Sequence, residues 1–232
     1  MRVGVVTIAA HRTDHLRMQM TALARGSRLP DRHVVVSMGD PEVVSLALGA
    51  GADTRWIEPA GKSLPLAEAR NLGAGRAIEL GADLLIFLDV DCIPAPNLVG
   101  RYEEVAGDPH HREALLCGPV TYLPPPPDGG YDVTALERMI DPHPARPHPG
   151  PEEVLIGDDH TLFWSLSFAV TAPTWHSWAD SVPTTRDTAA RTPTSRNSRR
   201  NRASDFAGWA GHTRSISITR CRILRSSDCT TS

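Results

Sequence analysis

The chain has 232 residues, with 24 basic residues against 27 acidic ones and a formal net charge of −3. That length allows one large domain, or one domain and a tail, and the 41% apolar content is ordinary for a water-soluble fold. No apolar run is long enough to cross a bilayer, and Met1-Arg2 leads straight into Val3-Gly4-Val5-Val6-Thr7-Ile8 without a leader, so the expected location is the cytoplasm. The four cysteines, Cys92, Cys117, Cys221 and Cys229, form no C-x-x-C pair and support neither a disulfide framework nor a zinc site.

Taken in order, Val3 to Ile8 reads as a buried strand. His11 to Ala24 reads as a helix with Leu16, Met20 and Leu23 at helical spacing, capped by Thr13 or Asp14. Leu29-Pro30-Asp31 is a turn, and His33 to Met38 a second strand. Pro41 opens a short helix to about Leu48, and Thr54 to Glu58 forms a third strand. After a loop from Pro59 to Pro65, Leu66 to Leu80 reads as a helix with Ala67, Leu72, Ala74 and Ile78 facing inward and Gly81 ending it.

Next comes Leu84-Leu85-Ile86-Phe87-Leu88-Asp89-Val90-Asp91-Cys92-Ile93-Pro94, an apolar run ending in two carboxylates one residue apart. It has the length of a strand buried on both faces. Alternation along such a strand sends Asp89 and Asp91 to the same face, and Pro94 stops further regular pairing. Acids at the carboxyl end of a buried strand stand where open α/β sheets bind ligands, and paired carboxylates suit a hard divalent cation holding phosphates. A strand end with two solvated acids is the bland alternative. Cys92 beside them reads as a buried spacer thiol.

Asn97 to Ala106 reads as a helix, and Leu115 to Leu123 as a strand broken by four prolines. Asp128 to Asp159 is a long loop around a short helix near Ala135 to Ile140, and Leu162 to Val170 a final apolar strand with Trp164 and Phe168. Strands alternating with helices imply an α/β, mostly parallel sheet flanked by helices. The character changes after Trp175. Residues 176–232 carry ten arginines and four aspartates, a net of +6, which leaves −9 on residues 1–175. This stretch reads as a tail too poor in apolar periodicity to fold, hence disordered, and the domain is placed at residues 1–175.

Together these residues resemble a GT-A-fold (Rossmann-like) glycosyltransferase of the family 2, actinobacterial type. The resemblance rests on Val5-Val6-Thr7-Ile8, on Ala69-Arg70-Asn71-Leu72-Gly73 opening a helix, on Phe87-Leu88-Asp89-Val90-Asp91, and on Ser165-Leu166-Ser167-Phe168-Ala169-Val170. It implies a metal-dependent transfer of sugar from a nucleoside-diphosphate sugar to an acceptor hydroxyl, with Mn²⁺ or Mg²⁺ as cofactor. The basic tail has no stacking pattern or fold signature and no apolar run spans a bilayer, so no nucleic-acid partner and no integral membrane segment are expected. Thr7 would lie in the loop under the nucleotide, Asp40 at the base or ribose, and Arg70 near the nucleotide and diphosphate, or else paired with Glu68 or Asp89 on the helix surface. Asp91 would ligate the metal, and Asp89 would hold the ribose or share the metal.

The general base of this family lies in an acidic segment just after a G-G-F turn downstream of the last strand. Here His176-Ser177-Trp178-Ala179-Asp180-Ser181 stands instead, so no residue is assigned as base and the chain is expected to be impaired. Read one frame over, the codons of Ser177 to Ser181 permit G-G-F, and those of Arg186 to Ser195 permit T-G-Y-G-G followed by E-D-T-D-F. Those of His212 to Arg225 permit a histidine-rich segment. A shifted reading frame is therefore the expected origin of the tail. Rival readings are a catalytically dead nucleotide-sugar-binding remnant, a haloacid-dehalogenase-like phosphotransferase using the first Asp as nucleophile, and a nucleic-acid arm resting on the basic tail.

Overall fold

The computed structural model describes residues 1–61, 63–124, 131–139, 144, 147–150, 152–157, 163, 165–181, 215–217 and 221–223. Its centre is a sheet whose first four strands lie parallel. β1 (Val3–Ala9) is buried at every residue, as its largely apolar sequence requires of a strand covered on both faces. On one side of β1 lie β2 (Arg32–Met38) and then β3 (Asp53–Ile57); on the other lies β4 (Leu84–Asp89). The order β3-β2-β1-β4 reverses direction of growth at β1. Beyond β4 the sheet turns mixed. β9 (Ser167–Thr171) runs antiparallel to β4, with Phe87 opposite Phe168, and β6 (Leu115–Cys117) runs antiparallel to β9. β10 (Ser215–Ser217) and β8 (Leu155–Gly157) complete eight strands. A second sheet has the order β5 (Cys92–Pro94), β11 (Cys221–Ile223), β7 (Val120–Tyr122).

Strand alternation sorts the core into two faces. Val3, Val5, Leu84, Ile86 and Leu88 pack with Leu98, Val99, Tyr102 and Val105 of α4 (Leu98–Gly107). On the same side of the sheet, Ala9 and Val35 meet Leu16 of α1 (Thr13–Ala24) and Val43 and Ala47 of α2 (Pro41–Gly49). Val6, Ile8, Val34, Val36, Leu85 and Phe87 pack on the other face with α3 (Leu66–Glu79). There Phe87 stacks on Phe168 at 4.5 Å between centroids and on Trp175 at 4.9 Å.

α3 differs from expectation in the face it buries. Ala69, Arg70, Gly73, Ala74 and Ala77 are buried, Leu72 and Ile78 only partly, and Ala67 is exposed. The reason is distance. A Cβ on Gly73 would stand 2.5 Å from Val6 Cγ1 and 3.0 Å from Val36 Cγ2, so the small residues are the ones that let the helix lie against the sheet. Gly73→Ala is therefore expected to lower stability by about 1–3 kcal/mol, because β-branched strand side chains cannot move aside. An unchanged denaturation midpoint would show that this approach is not tight.

Two expected strands are divided. The run from Leu84 to Pro94 breaks at a turn of Val90 and Asp91, so alternation does not carry from Asp89 to Asp91 and the two acids do not share a strand face. Leu115 to Leu123 breaks at Gly118-Pro119, where Pro119 has no N–H for a ladder. The cap of α1 also differs: Arg12 occupies the N-cap, and no side chain caps it.

The boundary expected after Trp175 falls inside α5 (Ala172–Ser181), whose Trp178 packs against the same cluster as Trp175. Two segments of the expected tail pair with the domain: Ser215–Ser217 with β6 and β8, Cys221–Ile223 with β5 and β7. The rest of that tail, including nearly all of the segment read in a shifted frame, lies outside the described residues, as do Leu162 and Trp164. Among the described residues no helix is long and apolar enough to cross a membrane.

Candidate functional site

In open α/β sheets ligands bind in the crevice outside the carboxyl ends of the strands, at the point where the strand order reverses. Here that point lies between β1 and β4, where the strand order reverses. Asp89 ends β4, and the β1–α1 loop, Ala10-His11-Arg12, leaves β1 beside it. Asp89 ends the fourth strand, as the elements read before it required, and not the first, where the haloacid-dehalogenase-like rival would carry its acids.

Asp89 continues the alternation of Leu85 and Phe87 and so points to the α3 face. Arg70 waits there. Its Nη2 donates to Asp89 Oδ1 at 2.7 Å, a charge-assisted bond. Arg70 is 7% exposed, so it is a buried helix residue and not the surface arginine of the bland alternative, although its partner is the Asp89 which that alternative named. Burial, with Asp91 adding to it and Arg70 opposing it, raises the Asp89 carboxyl to about 6. The arginine therefore keeps a desolvated acid charged at neutral pH.

Asp91 sits in the turn after β4 and leans the other way, toward α1. Its Oδ2 lies 3.8 Å from Arg12 Nη1, a loose ion pair. His15, one turn further along α1, is held below its ordinary value by burial first and by Arg12 next, while Asp91 and Asp14 act in the opposite direction. The crevice thus holds two acids and two arginines, each acid with its own arginine.

Asp40 is buried and fully occupied. It caps α2, accepting from Glu42 N at 2.9 Å and Val43 N at 3.4 Å, and it accepts from His11 N at 2.7 Å. Burial pushes its carboxyl up, but these three amides outweigh that and hold it below the usual range. His11 takes the left-handed backbone, φ 53°, a conformation unusual outside glycine. Asp40 ties this strained loop to the end of β2.

Thr7 is not in a loop. It is buried within β1, where its hydroxyl lies 2.7 Å from Gln19 Oε1 and 3.1 Å from His33 Nε2. Burial holds the His33 imidazole down to about 4, from an ordinary 6.5. An unfolded chain takes up that proton below pH 6.5 and the folded one does not, so this histidine removes stability as pH falls from about 6.5 to about 4. Asp89, with its raised value, acts in the opposite sense over part of that window. Subtracting the denaturation profile of His33→Gln from that of the unmutated protein isolates the histidine. The difference should grow toward acid, by up to about 3 kcal/mol; a flat difference would place a charged imidazole at His33.

Sequence reasoning missed Arg12, His15 and Gln19. The one signal available for Arg12 was its place directly after the first buried strand. A groove of about 950 Å³ opens at the opposite end of the sheet, lined in part by Asp83, Glu113, Thr171 and Trp178, so volume alone does not mark the crevice.

No family model matches the chain, and no curated protein is similar to it in sequence. Solved structures are similar in fold. The S. aureus TarS 1-349 structure in complex with UDP superposes with a TM-score of 0.61 at 11% identity, over 97% of this chain and 61% of that one. Its complex with UDP-GlcNAc gives 0.60 at 11% identity, over 98% and 60%. A crystal structure of S. aureus TarS gives 0.51 at 12% identity, over 77% and 30%. This chain therefore spans about three fifths of the TarS 1-349 chains. The fold they share is GT-A, an α/β, mostly parallel sheet flanked by helices.

Proposed function

We propose that the crevice between β1 and β4 binds a nucleoside-diphosphate sugar and that the chain belongs to a sugar-transferring enzyme. The observation that carries this is the Asp89–Arg70 pair with Asp91 beside it, placed at the switch point of a GT-A fold. The TarS 1-349 structures in complex with UDP and UDP-GlcNAc support it as fold relatives.

Arg70 has two tasks in this reading. It keeps Asp89 ionised, and its planar fork, held at the end of β4 by that bond, would offer a further N–H to a diphosphate. The carboxylates of Asp89 and Asp91 are then free to act as acceptors: Asp89 for a ribose hydroxyl or a cation, Asp91 for a cation. Asp40 acts through the loop it holds, fixing His11 and Arg12 at the edge of the crevice. Thr7 supports the site from beneath and does not touch the nucleotide.

The donor set fits Mn²⁺ or Mg²⁺. Both are hard ions that need only one or two protein carboxylates when substrate phosphates supply further oxygens. Asp91, about a quarter exposed and held among the described residues by a loose ion pair, would be the principal ligand, and Asp89 the second. Among the described residues no group of three or more histidines, cysteines or acids could hold a metal unaided, which suits a site completed by the substrate. When bound, such an ion neutralises charge that grows on a departing diphosphate.

A second reading is a donor-binding chain without turnover. It is favoured by α5 running through Ser181, where the resemblance placed a turn leading to a base. The shifted frame accounts for that difference, and resequencing the codons of Trp175 and His176 checks it; a CGN codon at Arg191 is incompatible with the hidden acidic string.

Calorimetry with UDP-GlcNAc, UDP and other nucleoside-diphosphate sugars, with and without Mn²⁺, tests the main reading. Saturable binding that strengthens with the ion is the expected result. No binding of any nucleotide would end the proposal, and binding without turnover would select the second reading.

A further inference from the structure

Gln19 is fully buried on α1, under the turn that carries the acids. Its amide nitrogen donates to the Asp89 carbonyl at 2.8 Å and to the Cys92 carbonyl at 3.0 Å. Only the NH₂ of an amide can satisfy two carbonyls, so its orientation is forced. Gln19 Oε1 must then face Thr7 Oγ1, 2.7 Å away, and an amide oxygen only accepts, so the Thr7 hydroxyl donates. The hydroxyl has lone pairs left, and His33 Nε2 at 3.1 Å must carry the proton that meets one of them. The relay therefore runs one way: His33 on β2, Thr7 on β1, Gln19 on α1, and the main chain at both ends of the turn.

The turn lies between two strands of different sheets. β4 ends at Asp89 and β5 begins at Cys92, so Val90 and Asp91 belong to no ladder. On the far side the Asp89 N–H and the Cys92 thiol both donate to the Leu166 carbonyl, at 3.0 and 3.3 Å. On the near side Gln19 meets both carbonyls.

We propose that Gln19 is a positioning residue whose amide clamps both ends of the Asp89–Cys92 turn and so sets where the Asp91 carboxylate stands relative to Asp89. Thr7 and His33 hold the amide in the one orientation that can do this. The functional meaning of the clamp rests on the donor-binding reading above; the clamp itself does not.

The test uses Gln19→Leu, which keeps the volume and removes the amide, with Thr7→Val and Thr7→Ser. Thr7→Val keeps the shape and removes the hydroxyl, and Thr7→Ser keeps the hydroxyl. Two quantities are read on the whole chain: amide hydrogen exchange over Asp89 to Cys92, where the Asp89 N–H is bonded to the Leu166 carbonyl, and UDP affinity in Mn²⁺ by calorimetry. Exchange in the turn should quicken by about tenfold or more in Gln19→Leu and Thr7→Val, and return toward the unmutated rate in Thr7→Ser. UDP affinity should fall in the same pattern, by about tenfold. If the turn exchanges at the unmutated rate in Thr7→Val, the clamp is absent. If exchange quickens but UDP affinity is unchanged, Gln19 is structural only and the positioning role is overturned. If Gln19→Leu does not fold, the Thr7 pair decides alone. If the unmutated protein binds no nucleotide, the donor reading falls and exchange alone decides the clamp.

Discussion

Asp91→Asn is expected to remove the metal-dependent part of donor binding and leave the fold standing. Asn keeps the shape of Asp and loses its charge, and a hard cation depends on that charge. Losing a residue that merely orients a ligand typically costs 10–100-fold in metal affinity, so losing the ligand itself should exceed about 100-fold. Stability should change little. Asp91 is partly exposed and its ion pair to Arg12 is 3.8 Å long; such pairs contribute roughly 0–1 kcal/mol. The measurement is UDP affinity with and without Mn²⁺ in both proteins, beside a denaturation midpoint. Equal affinity with and without the ion in the unmutated protein would remove Asp91 as a ligand. A large fall in midpoint would make it a fold residue.

Arg70→Lys is the second large effect. Lysine keeps the charge but replaces a planar fork with a point charge on a longer, flexible stem. The bond to Asp89 at 2.7 Å and any bond to a diphosphate both depend on the fork. Loss of one charge-assisted bond costs about 1.5–3 kcal/mol, equivalent to about 10–150-fold in donor affinity. The pair also has a structural side, because Asp89 is desolvated and needs a cation. Arg70→Lys retains a cation, so stability should fall less than in Arg70→Leu, which strands the acid. If donor affinity is unchanged and only the midpoint falls, Arg70 is an internal ion-pair partner and no part of the donor site.

The two acids illustrate how far local rules reach. An unbroken apolar run of strand length ending in an acid is enough to place Asp89 at a strand end, since a doubly covered strand takes apolar side chains on both faces, as Leu84 to Leu88 supply. The position of Asp91 was not accessible in the same way. The rule of alternation holds only while the ladder lasts, and here the ladder stops at Asp89. Asp40 shows the converse limit: an acid after a strand looks like a free acceptor, whereas folding gives it three backbone amides from two different segments.

What the chain's own pattern determined was the α/β class, the parallel strands from Val3 to Asp89, and the end of the sheet where charge gathers. These follow from periodicity and from burial of apolar runs, which act over neighbouring residues. Only the tertiary structure decided which groups meet. Arg70 reaches Asp89 because Gly73 lets α3 lie against Val6 and Val36, and Gln19 reaches the turn across some seventy residues of chain. Such contacts are set by the packing of whole elements, and the spacing of residues along the chain carries no record of them.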